Sequence, residues 1–399
     1  MLSTIELFAG CGGLTEGFKQ SGKFEIKAAV EWDKHAVRTL RNRLESKWNY
    51  QDATSKVIQF DIQRTNELIK GYNNDVEYGS SIGLERLVGG KKIDVVIGGP
   101  PCQAYSIAGR IRDDKGMHED YRNFLFESYI KVVEYFRPKA CIFENVQGML
   151  SAAPGGIPIV ERVTEAFEKA GYHISTNLRY DALFDTADFG VPQKRLRVII
   201  VAISKSEYPD YRGRVIKFYE KLNSLKVNSV KTVEDAISDL PRLYPLDIVK
   251  NKISHRAVEG KLKINNHEPR FHNERDINIF KLLADDILSG KNEYSNSENL
   301  KMLYTEKTGK TSSVHKYHVL RLNKPSNTIP AHLYKDGLRH IHPDPTQARS
   351  ITVREAARLQ TFPDDFIFIS SQGNNYKMIG NAVPPLFAKN IALALSEIL

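Results

Sequence analysis

The chain has 399 residues, 41% of them hydrophobic and 26% charged, which suits a soluble globular protein with room for two domains. No apolar run approaches the ~18 residues of a membrane helix, and a strand-like segment from Ser3 leaves no room for a signal peptide. Three cysteines without paired spacing argue against a disulfide framework or a zinc site and fit a reducing cytoplasm, while a net charge of +9 points to a polyanionic partner.

Strand-like and helix-like segments alternate through the first 204 residues. "TIELFAG" reads as a strand and "LTEGFKQSG" as a helix closed by Gly22. "FEIKAAVEW" is a second strand, followed by the helix "DKHAVRTLRNRL" with Asp33 as its N-cap. "KVIQFDI" is a third strand. The long connection "TNELIKGYNNDVEYGSSIGLERLVGGKK" predicts a surface helix and a loop of no evident role. "KIDVVIGG" is a continuous β-branched run, as a strand buried on both faces should be. A helix over "YRNFLFESYIKVVEYFRP" stops at Pro138, and "KACIFENV", "VERVTEAFEKAGY" and "RLRVIIVAIS" continue the rhythm. Such a βα alternation predicts an α/β fold with a doubly wound, mainly parallel sheet.

The rhythm fails from about Lys205 to Asn323, where Lys, Asn, Ser and Tyr are frequent and "KNEYSNSENLK" reads as an exposed loop. Residues 205–349 hold 26 Lys and Arg against 18 Asp and Glu, so nearly all the excess positive charge lies there, with eight of the eleven histidines. Helices return in "TVREAARLQTFPDDF" and "PPLFAKNIALALSEIL". The expected division is a doubly wound domain over 1–204, a smaller irregular domain over 205–345, and a return to the first over 346–399.

The chemistry-bearing residues cluster at strand ends. Glycines 10, 12 and 13 follow the first strand and open a helix, a turn that brings backbone N–H groups close to a ligand. Position 15 is Thr, so the dinucleotide fingerprint is incomplete. Glu31 ends the second strand, where an acid can accept ribose hydroxyls, and Asp61 ends the third, where it can hold an adenine edge. Together they suggest an adenosine-bearing cofactor without a pyrophosphate; a plain tight turn is the competing reading. Cys102 follows "IDVVIGG" and two prolines, and ligands in such sheets bind outside the carboxyl ends of the strands. A lone cysteine is usually a buried hydrophobe, which suits Cys141 inside its strand. The proline-stiffened position of Cys102 instead suits a nucleophile. Glu144 and Asn145 end the fifth strand, and a carboxyl in an apolar pocket there would have a raised pKa and act as an acid. Arg195 and Arg197 alternate into the next strand and share a face.

The ordered set "FAGCGG", "EWD", "GGPPCQAYS", "ENV", "QKRLR", "RLNKPSNTI", "RSITVREAARLQTFPDDF" and "MIGNAVPPL" resembles the DNA cytosine-5 methyltransferases. The chain's modest length resembles the bacterial type II restriction–modification enzymes among them. The motifs span nearly the whole chain except the basic middle stretch.

The resemblance implies S-adenosyl-L-methionine as cofactor, no metal, and double-stranded DNA as partner. It implies that Phe8, Gly10, Cys11, Gly13 and Pro100 line the cofactor site. Glu31 and Trp32 would hold the ribose and flank the adenine, Asp61 and Ile62 would bind the base, and Leu125, Asn381, Ala382 and Val383 would complete the pocket. Cys102 would add to cytosine C6, Glu144 would donate to N3 and Arg195 would bind O2, with Asn145 and Arg197 orienting them. The basic domain would recognise the target sequence. A cytoplasmic monomer, working beside a restriction endonuclease without obligate contact, completes the expectation. The alternative is a transfer-RNA cytosine-5 methyltransferase of the same fold, but that branch carries a Cys-Phe-Thr tripeptide in its recognition region, and no cysteine follows Cys141 here.

Overall fold

The structure is a computed structural model that describes residues 1–101, 125–250, 252–257, 264–335 and 337–399. The expected nucleophile Cys102 lies outside the described residues. The chain divides into two units. One holds Met1–Gly190, Arg195–Asn228 and Ala382–Leu399, and the other holds Val191–Lys194 and Ser229–Asn381.

The first unit carries strands β1 (Leu2–Leu7), β2 (Phe24–Glu31), β3 (Val57–Gln59), β4 (Tyr72–Asp75), β5 (Gly79–Ser81), β6 (Val95–Gly98), β7 (Ala140–Val146), β8 (Tyr172–His173), β9 (Leu183–Asp185) and β10 (Leu196–Ser204). The main sheet runs β3-β2-β1-β6-β7-β10-β8, with β9 paired to β10. The strands from β3 to β7 in that order are parallel, as the βα rhythm predicts. β10 is antiparallel to β7, β8 and β9. Its start therefore lies at the edge where the parallel strands end. Val95–Ile97 and Val198–Ile203 are wholly buried, which is why these strands read as unbroken apolar runs rather than alternating ones.

Local signals set the helices. Asp33 caps helix Lys34–Ser46 by accepting from the backbone N–H of His35 at 2.8 Å. A buried ion pair that no pattern announces backs helix Gly13–Gln20. Glu16 accepts from Arg43 Nη2 at 2.7 Å and from Trp48 Nε1 at 3.1 Å. The connection after β3 is more ordered than a helix and a loop. Helices Thr65–Lys70 and Gly83–Val88 flank an antiparallel hairpin of β4 and β5. The stretch Gln372–Ser396 is long and apolar enough to be a candidate membrane span, which the sequence reading had not found. Yet 72% of its apolar window is buried in the protein, and Pro384 and Pro385 part helix Gln372–Asn381 from helix Pro385–Ser396.

The basic stretch also holds more regular structure than its composition suggests. Helix Tyr211–Ser224 belongs to the first unit. The second unit has helices Val233–Ile237, Glu274–Leu288, Ser297–Thr308, Val353–Leu359 and Gln372–Asn381, and a hairpin of β11 (Leu243–Lys250) and β12 (Ile253–Ala257). Asn296 caps the helix that begins inside "KNEYSNSENLK", so only the first part of that segment is loop. Ile279, Phe280, Leu283, Leu303 and Ile341 form a core there.

Six buried or half-buried histidines in the second unit are held below their ordinary pKa, chiefly by burial. His255, His318 and His342 fall to about 4, His272 and His340 to about 3, and His267 shifts the same way. The unfolded chain binds protons near pH 6.5, so it takes them up before the folded unit does. Stability contributed by these neutral rings is present above pH 6.5 and is lost as pH falls toward 4, each ring contributing up to about 1.4 kcal/mol per pH unit. The second unit should therefore show a marked drop in its urea midpoint between pH 7.5 and 5, followed by hydrogen exchange of its core amides. A midpoint that stays level across that range would contradict the burial assigned to these rings.

Candidate active site

The residues singled out in the sequence gather at one edge of the main sheet in two groups. The first surrounds the ends of β1 and β2. Phe8 follows β1 with φ 56°, an uncommon conformation for a bulky residue and one that clusters at functional sites. Glu31 closes β2. Its carboxylate accepts from the backbone N–H groups of Gly10 at 2.7 Å, Trp32 at 2.8 Å and Asp33 at 2.7 Å. Burial pushes its pKa up, and these hydrogen bonds oppose the shift. Oε1 takes two of the bonds and Oε2 takes one. A carboxylate has about four lone-pair sites, so Oε2 has capacity for a further donor such as a sugar hydroxyl.

Trp32 is 61% exposed, and its indole Nε1 donates to the Tyr78 hydroxyl at 3.2 Å. Beside Gly10 the space is open, since a Cβ there would meet no atom within 4 Å. Gly13 is the reverse case, because a Cβ would lie 2.3 Å from the Val383 carbonyl. The Ala382–Val383 segment thus lies against the start of helix Gly13–Gln20. Asp61 and Ile62 follow β3, where Asp61 accepts from Gln63 N–H at 3.0 Å and Ile62 is buried. Leu125 is buried in the first turn of helix Leu125–Phe136. Asn381 ends a helix of the second unit, whereas Ala382 and Val383 belong to the first. A fixed carboxylate, an exposed indole face and an open glycine turn fit the adenosine moiety of S-adenosyl-L-methionine.

The second group surrounds the ends of β6 and β7. β6 pairs with β7 so that Gly98 lies opposite Phe143, which brings Gly99 beside Glu144. A Cβ on Gly99 would come within 2.5 Å of Glu144 Oε2, so the carboxyl rests on the backbone just before Pro100 and Pro101. Asn145 is buried, and its Nδ2 donates to the Pro100 carbonyl at 3.3 Å. The antiparallel β10 delivers the two arginines. Arg197 Nε donates to Glu144 Oε1 at 2.7 Å. Glu144 therefore sits beside a guanidinium rather than in an apolar pocket, which corrects the expected surroundings of this acid. Arg195 is only 1% exposed. It donates through Nη2 to the Ala382 carbonyl at 3.1 Å and through its backbone N–H to Asp185 at 3.0 Å. Burial pushes both arginine pKa values down; the charge on Arg197 adds to the shift at Arg195, and Glu144 opposes it at each.

The other two cysteines are in unsuitable places for a nucleophile. Cys11 and Cys141 are wholly buried, and burial pushes both thiols far above their ordinary range. Thiol reactivity needs the thiolate, so neither is activated. Sequence reasoning missed Glu6, a buried acid on β1 that accepts from the Thr15 hydroxyl and whose pKa burial raises to about 8. An acid inside the apolar run "TIELFAG" was the available signal. Asp185, the Ala382 carbonyl and Tyr78 left no comparable trace, because each matters only through a partner distant in sequence.

Comparison with known proteins gives a consistent result. The family model of C-5 cytosine-specific DNA methylases matches residues 2–397. Among curated relatives, the type II methyltransferase M.Bpa9945I of Bacillus paralicheniformis is 32% identical over 99% of this chain and 98% of its own length. The type II methyltransferase M1.HphI of Haemophilus parahaemolyticus is 31% identical over 99% of this chain and 86% of its own. A solved structure of S. pombe Dnmt2 methyltransferase shares the fold at 15% identity, with a TM-score of 0.55 over 100% of this chain and 98% of that one.

Proposed function

The chain belongs to the C-5 cytosine-specific DNA methylase family, and from that premise we propose that it methylates C5 of one cytosine within a specific double-stranded DNA sequence through a covalent adduct between Cys102 and C6. The observation that carries the reading is the meeting of Glu144, Asn145, Arg195 and Arg197 at the sheet edge that also holds the Glu31 cradle. When bound, S-adenosyl-L-methionine supplies an electrophilic methyl group. Glu31, Trp32, Gly10 and Gly13 hold it, with Phe8, Cys11, Asp61, Ile62, Pro100, Leu125, Asn381, Ala382 and Val383 around it.

Cytosine C5 is a weak nucleophile in an aromatic ring. Addition of the Cys102 thiolate to C6 breaks the aromaticity and moves an electron pair toward C5, while Glu144 donates to N3 where charge accumulates. After C5 is alkylated, a base takes its proton and the thiolate leaves, restoring the ring. Splitting one hard step into easier ones is the gain of covalent catalysis. Arg197 aims Glu144, Asn145 fixes the proline pair before Cys102, and Arg195 contacts O2. The target carbon is inaccessible in a duplex, so the nucleotide is flipped out at a cost of a few kcal/mol. The basic second unit offsets that cost through phosphate contacts and reads the sequence through base edges. The relatives' names as type II methyltransferases favour a cytoplasmic monomer that protects DNA from a partner endonuclease.

Bisulfite sequencing of plasmid DNA from cells expressing the chain tests this reading. The expected result is one short sequence context in which a single cytosine resists conversion. Complete conversion everywhere in DNA, with protected cytosines in transfer RNA instead, would overturn it.

A further inference from the structure

The hairpin between β3 and β6 has no role in the reading above, yet it reaches the adenine end of the site. Tyr78 stands at its turn and accepts the hydrogen bond from Trp32 Nε1 at 3.2 Å. The same ring meets Phe60 edge-on at 5.0 Å, and Tyr72 stacks on Phe60 at 4.2 Å. Phe60 is the residue before Asp61. One hairpin thus grips both strand ends assigned to the adenine.

The turn that carries Tyr78 is itself fixed. Asp75 accepts from the backbone N–H groups of Glu77 at 3.0 Å and Tyr78 at 2.9 Å, and it pairs with Arg64 at 2.6 Å. The Arg64 guanidinium lies over the Phe60 ring at 4.8 Å. An exposed loop of no consequence has no need for such bracing. By contrast, Trp32 is mostly exposed, and a surface indole held at its Nε1 edge loses little further freedom when a ligand covers its face. Holding a binding side chain in place beforehand lowers the entropy cost of binding.

We propose that this hairpin is a positioning element of the cofactor site, with Tyr78 setting the orientation of Trp32 against the adenine ring of S-adenosyl-L-methionine. The proposal rests on the cofactor reading given above. Tyr78 is a positioning residue: it acts through Trp32 and touches no reacting atom.

The test compares wild type, Tyr78→Phe and Tyr78→Ala, with Trp32→Phe as the spectroscopic blank. Only Trp32 and Trp48 fluoresce as tryptophans, so subtracting the Trp32→Phe signal isolates Trp32. A neutral hydrogen bond contributes about 0.5–1.5 kcal/mol, so Tyr78→Phe should raise the KM for S-adenosyl-L-methionine roughly 3–10-fold. Maximal rate at saturating cofactor and the KM for DNA should stay level, and Trp32 anisotropy should fall. Tyr78→Ala should move each further in the same direction. Unchanged cofactor KM and Trp32 anisotropy in both variants would overturn the inference. So would a fall in maximal rate and thermal stability with the cofactor KM unmoved, which marks a purely structural role. If the wild-type Trp32 signal ignores S-adenosyl-L-methionine altogether, the cofactor reading itself fails, and this inference with it.

Discussion

Cys102→Ala abolishes methyl transfer and leaves cofactor binding nearly intact. The cysteine follows β6 and the proline pair, while the residues assigned to the cofactor surround the ends of β1, β2 and β3. Removing its sulfur takes away the group that would break the aromaticity of the base, and neither remaining cysteine can replace it. Both are buried with their thiols pushed up, and Cys141 is inside β7. Wild type should also form a stable adduct with DNA containing 5-fluorocytosine at the target position, because fluorine cannot leave as a proton does. Peptide mapping of that adduct is the check. Normal turnover in Cys102→Ala, or an adduct on Cys11 or Cys141, would remove Cys102 from the mechanism.

The second large effect concerns Glu144. Glu144→Gln should slow transfer by about 10²–10⁴-fold, the range for losing a general acid. Glutamine keeps the shape but cannot hand a proton to N3. The substitution also takes the carboxylate from beside Arg197, a pair 2.7 Å apart and largely shielded from water. Breaking such a pair leaves an uncompensated charge and commonly costs several kcal/mol. Urea midpoints must therefore be measured beside the rates. A lower midpoint with normal turnover at saturating DNA would leave Glu144 with a structural role alone.

Much of the first unit was legible because its signals are local. A capping aspartate, a glycine turn and unbroken apolar runs each report their own neighbourhood, and Asp33, Gly10 and β6 were all read this way. Strand direction is different. Periodicity reports burial and not polarity, so nothing in "RLRVIIVAIS" says that β10 runs against β7. That reversal is what carries Arg197 to Glu144, a meeting of residues far apart in the chain. The histidines of the basic stretch were counted in the sequence, but as part of a charged region. Their burial depends on a core assembled from several helices, which composition cannot show. The hairpin after β3 was read as loop because its aromatic residues find their partner, Phe60, in another element.

The packing of the first helix against the last has a consequence for the order in which the enzyme can be made. Gly13 abuts the Val383 carbonyl, and a Cβ on Gly17 would lie 2.4 Å from that of Ala388. Arg195 is anchored on the Ala382 carbonyl. The glycine turn is among the first segments to leave the ribosome, and its support is among the last. At 5–20 residues per second the interval is roughly 20–75 s. During that time the nascent chain carries a half-built pocket with an apolar seam open to solvent. An interrupted translation product would have a sheet but no finished cofactor turn, and so would be silent on DNA. Competence arrives only with release of the finished polypeptide.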